Sequence, residues 1–204
     1  NSFYIGLGNI KKHISQSLYL FWPMVASSLY LQIDKVMLNV LTGNPAQVSY
    51  YDYGEKIVLI PLTFITVLST VMMPRMANEF INCKKKSIRD LILKSGEYSL
   101  LISIPMAIGL ALVAKDLIPW YLGQSFNPTA YCIIIISPIV VINSLSGIFG
   151  NQYLTATNQL NILLIAYSIA AIVNILVNIM LIPSFGFIGA AIATVISSFL
   201  SILV

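Results

Sequence analysis

The sequence predicts an all-α integral membrane protein: a six-transmembrane-helix bundle forming one membrane domain over residues 1–204. Three observations predict it. Hydrophobic residues make up 58% of the chain and charged ones 9%, with a mean hydropathy of +0.88. Soluble domains carry about 25% charged residues, so this apolar surface exceeds what a water-soluble core of this size hides. The apolar runs are continuous and about 20 residues long, as spanning helices require, whereas barrel strands are alternating segments of about 10. Finally, the basic residues behind the net charge of +4 sit between those runs. That distribution marks a cytoplasmic membrane surface rather than a face for nucleic acid.

The six segments fall at about 18–41, 57–74, 98–114, 131–150, 160–181 and 187–204. Pro61, Pro105 and Pro138 lie inside the second, third and fourth. A proline removes one helical hydrogen bond and kinks the span. Orientation follows from charge. Lys11 and Lys12 precede the first span, and Arg75, Lys84, Lys85, Lys86, Arg89 and Lys94 separate the second from the third. The turn at Gly43–Gln47 has no Lys or Arg, and Lys115 alone follows the third span. The basic gaps are therefore inside. Residues 78–97 are expected to form a cytoplasmic amphipathic helix, whose "KKK" either binds anionic headgroups or only sets topology. No charge occurs from Leu117 to Val204, so topology there rests on alternation. The chain opens "NSFYIGLGNIKKH", which is no signal peptide, and the last span runs to the terminus. The expectation is a piece of a longer protein.

Polar residues inside the spans carry the functional question. "SSLYLQIDKVMLNVL" reads as a spanning helix until Asp34 and Lys35. One charge near the bilayer centre costs about 3 kcal/mol on insertion scales. Adjacent helical residues do not face each other, so the two are expected to have different partners. Either they serve a wet cavity, or Lys35 snorkels outward while Asp34 pairs structurally. The second span opens "YYDYGEKIVLIPL". Asp52 and Lys56 are spaced i,i+4 with the acid first, Glu55 lies beside them, and the tyrosines suit an aromatic belt. This is either a belt-anchored helix end or a polar mouth over a cavity. In the fifth span Tyr167, Ala171, Asn174 and Asn178 share one face, directed at a neighbouring helix or a cavity. In the sixth, Gly186, Gly189, Ala190, Ala193, Thr194, Ser197 and Ser201 form a small-residue stripe that reads as packing.

Several chemistries lack their residues. No G-x-x-x-x-G-K-[ST] occurs. His13 is the single histidine, and Cys83 and Cys132 have no metal-site spacing. No aspartate-rich pair marks a metal-assisted lipid-phosphate transferase. These features weigh against an enzyme and call for no cofactor.

"LYLQIDKVML", "YYDYGEKIV" and "TVMMPRM", followed by "GNQYLTATNQ" and "GFIGAAIATVIS", appear in an order that resembles the Wzx-type flippases of the multidrug/oligosaccharidyl-lipid/polysaccharide exporter superfamily. Tyr50 stands where glycine often precedes the tyrosine in that family. The resemblance covers nearly the whole chain. It implies the second of two six-helix halves around a central cavity. It also implies an undecaprenyl-diphosphate-linked oligosaccharide as substrate, for capsule or O-antigen. Membrane lipids, a polymerase and other polysaccharide-assembly proteins would be its partners, in the bacterial cytoplasmic membrane. Lys35 and Arg75 would then attract the diphosphate, and Asn174 and Asn178 would meet sugar hydroxyls. Asp34 would balance Lys35 or take part in ion coupling. Two other readings stay open: a cation-coupled drug or metabolite exporter, and a membrane enzyme or assembly subunit of polymer synthesis.

Overall fold

The computed structural model describes residues 32–82 and 85–203, and all of the regular structure there is helical. Most of the first expected span, Lys11, Lys12, His13, Cys83 and Lys84 lie outside the described residues. Helix α1 covers residues 32–42. It closes on "TGNP". The Thr42 hydroxyl donates to Leu38 O at 2.6 Å, and Gly43 takes a positive φ of 62°. Asn44 Oδ1 then accepts from Ala46 N at 3.0 Å, capping α2, which has Pro45 in its first turn. An Asx cap followed by proline starts a helix with few orphan donors, which explains so short a turn.

Helix α2 is Pro45–Ile81 and α3 is Lys85–Tyr121, each 37 residues. At 1.5 Å per residue each is about 55 Å long, well beyond a hydrocarbon core of about 30 Å. The expected amphipathic helix over residues 78–97 is therefore not a separate element. Its first residues end α2 and the rest are the opening turns of α3, continuous with the third span. No proline lies between Lys85 and Pro105, and the helix runs through the single glycine there, Gly96, without a break.

A 3-10 turn, Gln124–Phe126, leads into α4, Asn127–Ile136, and α5, Ile139–Ser146. The two arms bend by 46° at Ser137–Pro138, where the ring removes a backbone donor. Gly147–Leu154 continues α5 as a π-helix. Helix α6, Leu160–Phe185, and α7, Phe187–Leu203, form the closest helix pair. At their turn Gly186 has φ 57° and Gln47 Oε1 accepts from Phe187 N at 2.9 Å, tying the starts of α2 and α7. A Cβ on Gly189 would lie 2.6 Å from the Leu181 carbonyl, so α7 meets α6 backbone to backbone there. The small-residue stripe is thus a packing surface.

Among the described residues three helices are long and apolar enough to cross a membrane: α2, α3 and α6. The bent α4–α5 pair makes a fourth, and α7 is apolar but shorter. The outer faces are strongly apolar, with Phe64, Leu101, Leu112 and Met180 exposed. The interior instead holds many small polar groups, among them Ser69, Ser95, Ser99, Ser103 and Ser144. Such a distribution suits a protein whose outer solvent is hydrocarbon.

Candidate functional site

The polar site lies where α1, α2, α6 and α7 meet. Asp34 is 4% exposed and Tyr51, one helix away, is fully buried. Tyr51 OH donates to Asp34 Oδ2 at 2.9 Å, and Thr194 Oγ1 lies 3.0 Å from the same oxygen. Asn178 Nδ2 donates to Asp34 Oδ1 and, at 3.0 Å, to Asn174 Oδ1. Asn174 Nδ2 reaches Ser197 Oγ at 3.4 Å. The i,i+4 spacing of the two asparagines on α6 places both carboxamides on the face that meets α1 and α7. Among the described residues every direct partner of Asp34 is neutral, and Asn178 Oδ1 has no hydrogen-bond partner there.

One residue on, Lys35 turns to α2. Its Nζ lies 2.7 Å from Asp52 Oδ1 and 3.0 Å from Glu55 Oε2. Lys56 Nζ takes the other oxygen of Asp52 at 2.6 Å and lies 5.6 Å from the Tyr53 ring centroid. Tyr50 and Tyr53 stack edge-on with Phe126, and Tyr50 also with Phe187, holding the 3-10 turn and the α7 start against α2. The four charges of Lys35, Asp52, Glu55 and Lys56 sum to zero.

The structure thus divides the expected site in three. Asp34, Asn174 and Asn178 form a buried network. Lys35, Asp52, Glu55 and Lys56 form an ion cluster between α1 and the opening turns of α2. Arg75 joins neither, since 20 residues of α2 separate it from Glu55, about 30 Å along a helix. Nor do Asn174 and Asn178 present themselves to sugar hydroxyls. They are 1% and 0% exposed, and both amide groups and the Asn174 Oδ1 are engaged with Asp34, Ser197 and each other. Tyr167 leaves their face. The buried line on α6 runs Ala166, Ala170, Asn174, Asn178, Ile182, and Tyr167 is 39% exposed. Sequence reasoning missed Tyr51 and Thr194. One sat among tyrosines read as a belt and the other in a stripe read as packing. No local signal marked them, since 17 and 160 residues separate Tyr51 and Thr194 from Asp34.

A family model described as "Lipid II flippase MurJ" matches residues 4–204. The chain belongs to the MurJ family. That family agrees with the resemblance to the exporter superfamily read from the sequence. It is 24% identical over 189 residues to "Probable low-salt glycan biosynthesis flippase Agl15" of Haloferax volcanii, covering 93% of this chain and 40% of the relative. It is 23% identical over 154 residues to "Lipid II flippase MurJ" of Bacillus subtilis, covering 74% of this chain and 28% of the relative. A solved structure, "Lipid II flippase MurJ, inward closed conformation", superposes with a TM-score of 0.80 at 22% identity, over all of this chain and 44% of that one. The two chains therefore share a fold. The chain spans less than half the length of the relatives it matches.

Proposed function

We propose that the chain is part of a flippase in the cytoplasmic membrane. It moves undecaprenyl-diphosphate-linked oligosaccharide repeat units from the inner to the outer leaflet, for capsule, O-antigen or related polymers. Family membership across residues 4–204 carries the reading. A relative described as a glycan biosynthesis flippase supports a saccharide cargo. The chain would supply one lobe of six helices, working with a polymerase and other assembly proteins.

In this reading Lys35 is a latch. While Asp52 and Glu55 hold it, α1 is tied to α2 and the cluster offers a diphosphate no net attraction. An arriving diphosphate is a stronger acceptor than either carboxylate, and exchange of partners frees α1 from α2. One observation adds ion coupling. Among the described residues Asp34 is a buried acid with only neutral direct partners, beside an Asn178 Oδ1 with no partner. Such a carboxylate can hold a proton or a small cation between two conformations.

The test is export. In a strain lacking its own repeat-unit flippase, the intact protein is expected to restore surface polymer and clear lipid-linked intermediates from the inner leaflet. Drug resistance without restored polymer would instead favour a cation-coupled exporter. Turnover of a lipid phosphate by purified protein would favour a membrane enzyme or assembly subunit.

A further inference from the structure

A second polar feature lies at the opposite end of α2, outside the cluster and network above. A cleft of about 410 Å³ opens between the end of α2 and the opening turns of α3. Arg75 from α2 and Lys94 from α3 stand on its walls. Both side chains are exposed, and neither forms an ion pair among the described residues. Asp90 lines the same cleft, so the lining charge is +1, yet its carboxylate is not paired with either cation. Ser87 and Ser95 supply hydroxyls. Ser95 is 2% exposed, and its Oγ accepts from Gln152 Nε2 at 2.9 Å. Among the described residues no acceptor takes its own proton. Gln152 is itself fully buried, and its Oε1 has no partner among the described residues. Two unpaired cations with hydroxyl donors beneath them match the oxygens of a phosphate.

The rest of the lining selects the kind of phosphate. Met72 and Leu91 form an apolar floor over the buried Met76 and Ile88. Towards the membrane the cleft ends at Tyr98, and the same helix goes on with Leu101 and Ile102 exposed. A ligand seated with its phosphate between Arg75 and Lys94 has an apolar track for the rest of its length. Free phosphate would leave that track unused.

We propose that this cleft binds the phosphate headgroup of an anionic membrane lipid, its acyl chains lying along α3. On the orientation set by the basic residues, the lipid belongs to the inner leaflet. Basic pockets between spanning helices on that side are suited to such headgroups. A lipid held here would clamp the α2–α3 junction, where two long helices otherwise meet through the small cluster of Met76, Ile88 and Leu91. The site differs from the Lys35 cluster in place and partners, and it stands whether or not the flippase reading does.

The test is native mass spectrometry of the intact protein with phosphatidylglycerol and phosphatidylcholine at equal concentration. The expected result is one retained phosphatidylglycerol and no retained phosphatidylcholine. Arg75→Gln with Lys94→Gln should weaken retention by about tenfold or more, as expected for losing two basic contacts. Lys86→Gln with Arg89→Gln removes the same charge outside the cleft and should retain the lipid. So should Arg75→Lys with Lys94→Arg, which also guards against a folding defect in the first double variant. Equal loss in both charge-removing doubles would mean diffuse attraction and overturn the site. Equal retention of phosphatidylcholine would overturn the charge reading. Displacement of phosphatidylglycerol by millimolar inorganic phosphate would leave a soluble-anion pocket and overturn the lipid assignment.

Discussion

Asp34 and Lys35 are neighbours in sequence with opposite surroundings. Asp34 is nearly sealed among neutral hydrogen-bond partners drawn from α2, α6 and α7. Lys35 is partly exposed and held by two carboxylates on α2 alone. The helical offset of about 100° per residue sends one side chain into the bundle and the other to the α1–α2 seam. The difference teaches what each can do. A buried acid held by several neutral donors is costly to disturb, because every donor loses its acceptor together. An ion pair at a half-open seam can change partners, because water or an incoming anion replaces what it loses.

The largest expected effect breaks the sealed half. Asp34→Ala leaves the Tyr51 and Thr194 hydroxyls and the Asn178 amide short of an acceptor, at about 1–3 kcal/mol per orphaned group. It should abolish export and also lower abundance in the membrane. Asp34→Asn keeps an acceptor at nearly the same volume, so abundance should largely recover while export stays low. Export per folded molecule is the measurement. Near-normal export by Asp34→Asn would reduce Asp34 to a structural partner.

Next comes the seam. Lys35→Gln removes the cation but leaves Asp52 and Glu55 facing each other, in water's reach, so folding should suffer less than in Asp34→Ala. Export should still fall about tenfold or more, the scale of losing one charge-assisted contact. Lys35→Arg should keep partial export, since a cation remains in place. If Lys35→Gln, Lys35→Ala and Lys35→Arg all export normally, Lys35 only snorkels and the latch is wrong.

This division was partly legible in the sequence. The i,i+1 placement already gave Asp34 and Lys35 separate partners, and the acid-first i,i+4 spacing gave the Asp52–Lys56 pair. "TGNP" gave the tight turn, and Pro138 the bend in the fourth span. What could not be read were facts of three-dimensional closure. A tyrosine at an interface reads as a belt, yet Tyr51 is the one of its group whose helical position points inward. Thr194 is small enough to pack and polar enough to bond, and only the position of Asp34 decides between these. The length of α3 was hidden because polarity changes at Tyr98 while the helix does not end there.

A third expectation concerns what holds the sealed half shut. Asn174 reaches Ser197, and Asn178 and Thr194 share Asp34, because α6 and α7 approach closely at Gly189. Gly189→Ala would set a methyl 2.6 Å from the Leu181 carbonyl. Overpacking of this kind costs about 1–3 kcal/mol. Thermal unfolding in detergent should shift down by several degrees, and export should fall only as abundance falls. Export lost well beyond abundance would mean that the α6–α7 spacing also sets the geometry at Asp34.

The smallest effect sharpens the seam. Lys35 and Lys56 both bind Asp52, one to each carboxylate oxygen. They differ in their surroundings. The Lys56 side chain is 62% exposed and pairs within its own helix, while that of Lys35 is 16% exposed and joins two helices. An exposed i,i+4 pair contributes only about 0.3–0.5 kcal/mol. Lys56→Gln should therefore leave abundance unchanged and export near normal, even though it removes the same unit of charge from the same aspartate. The informative measurement is the ratio of export lost in Lys35→Gln to that lost in Lys56→Gln, at low and at high ionic strength. A large ratio that persists in salt places the effect in the bridge between α1 and α2. A ratio near one would mean that Asp52 responds only to the summed positive charge around it, and the seam would then be an electrostatic patch with no latch in it.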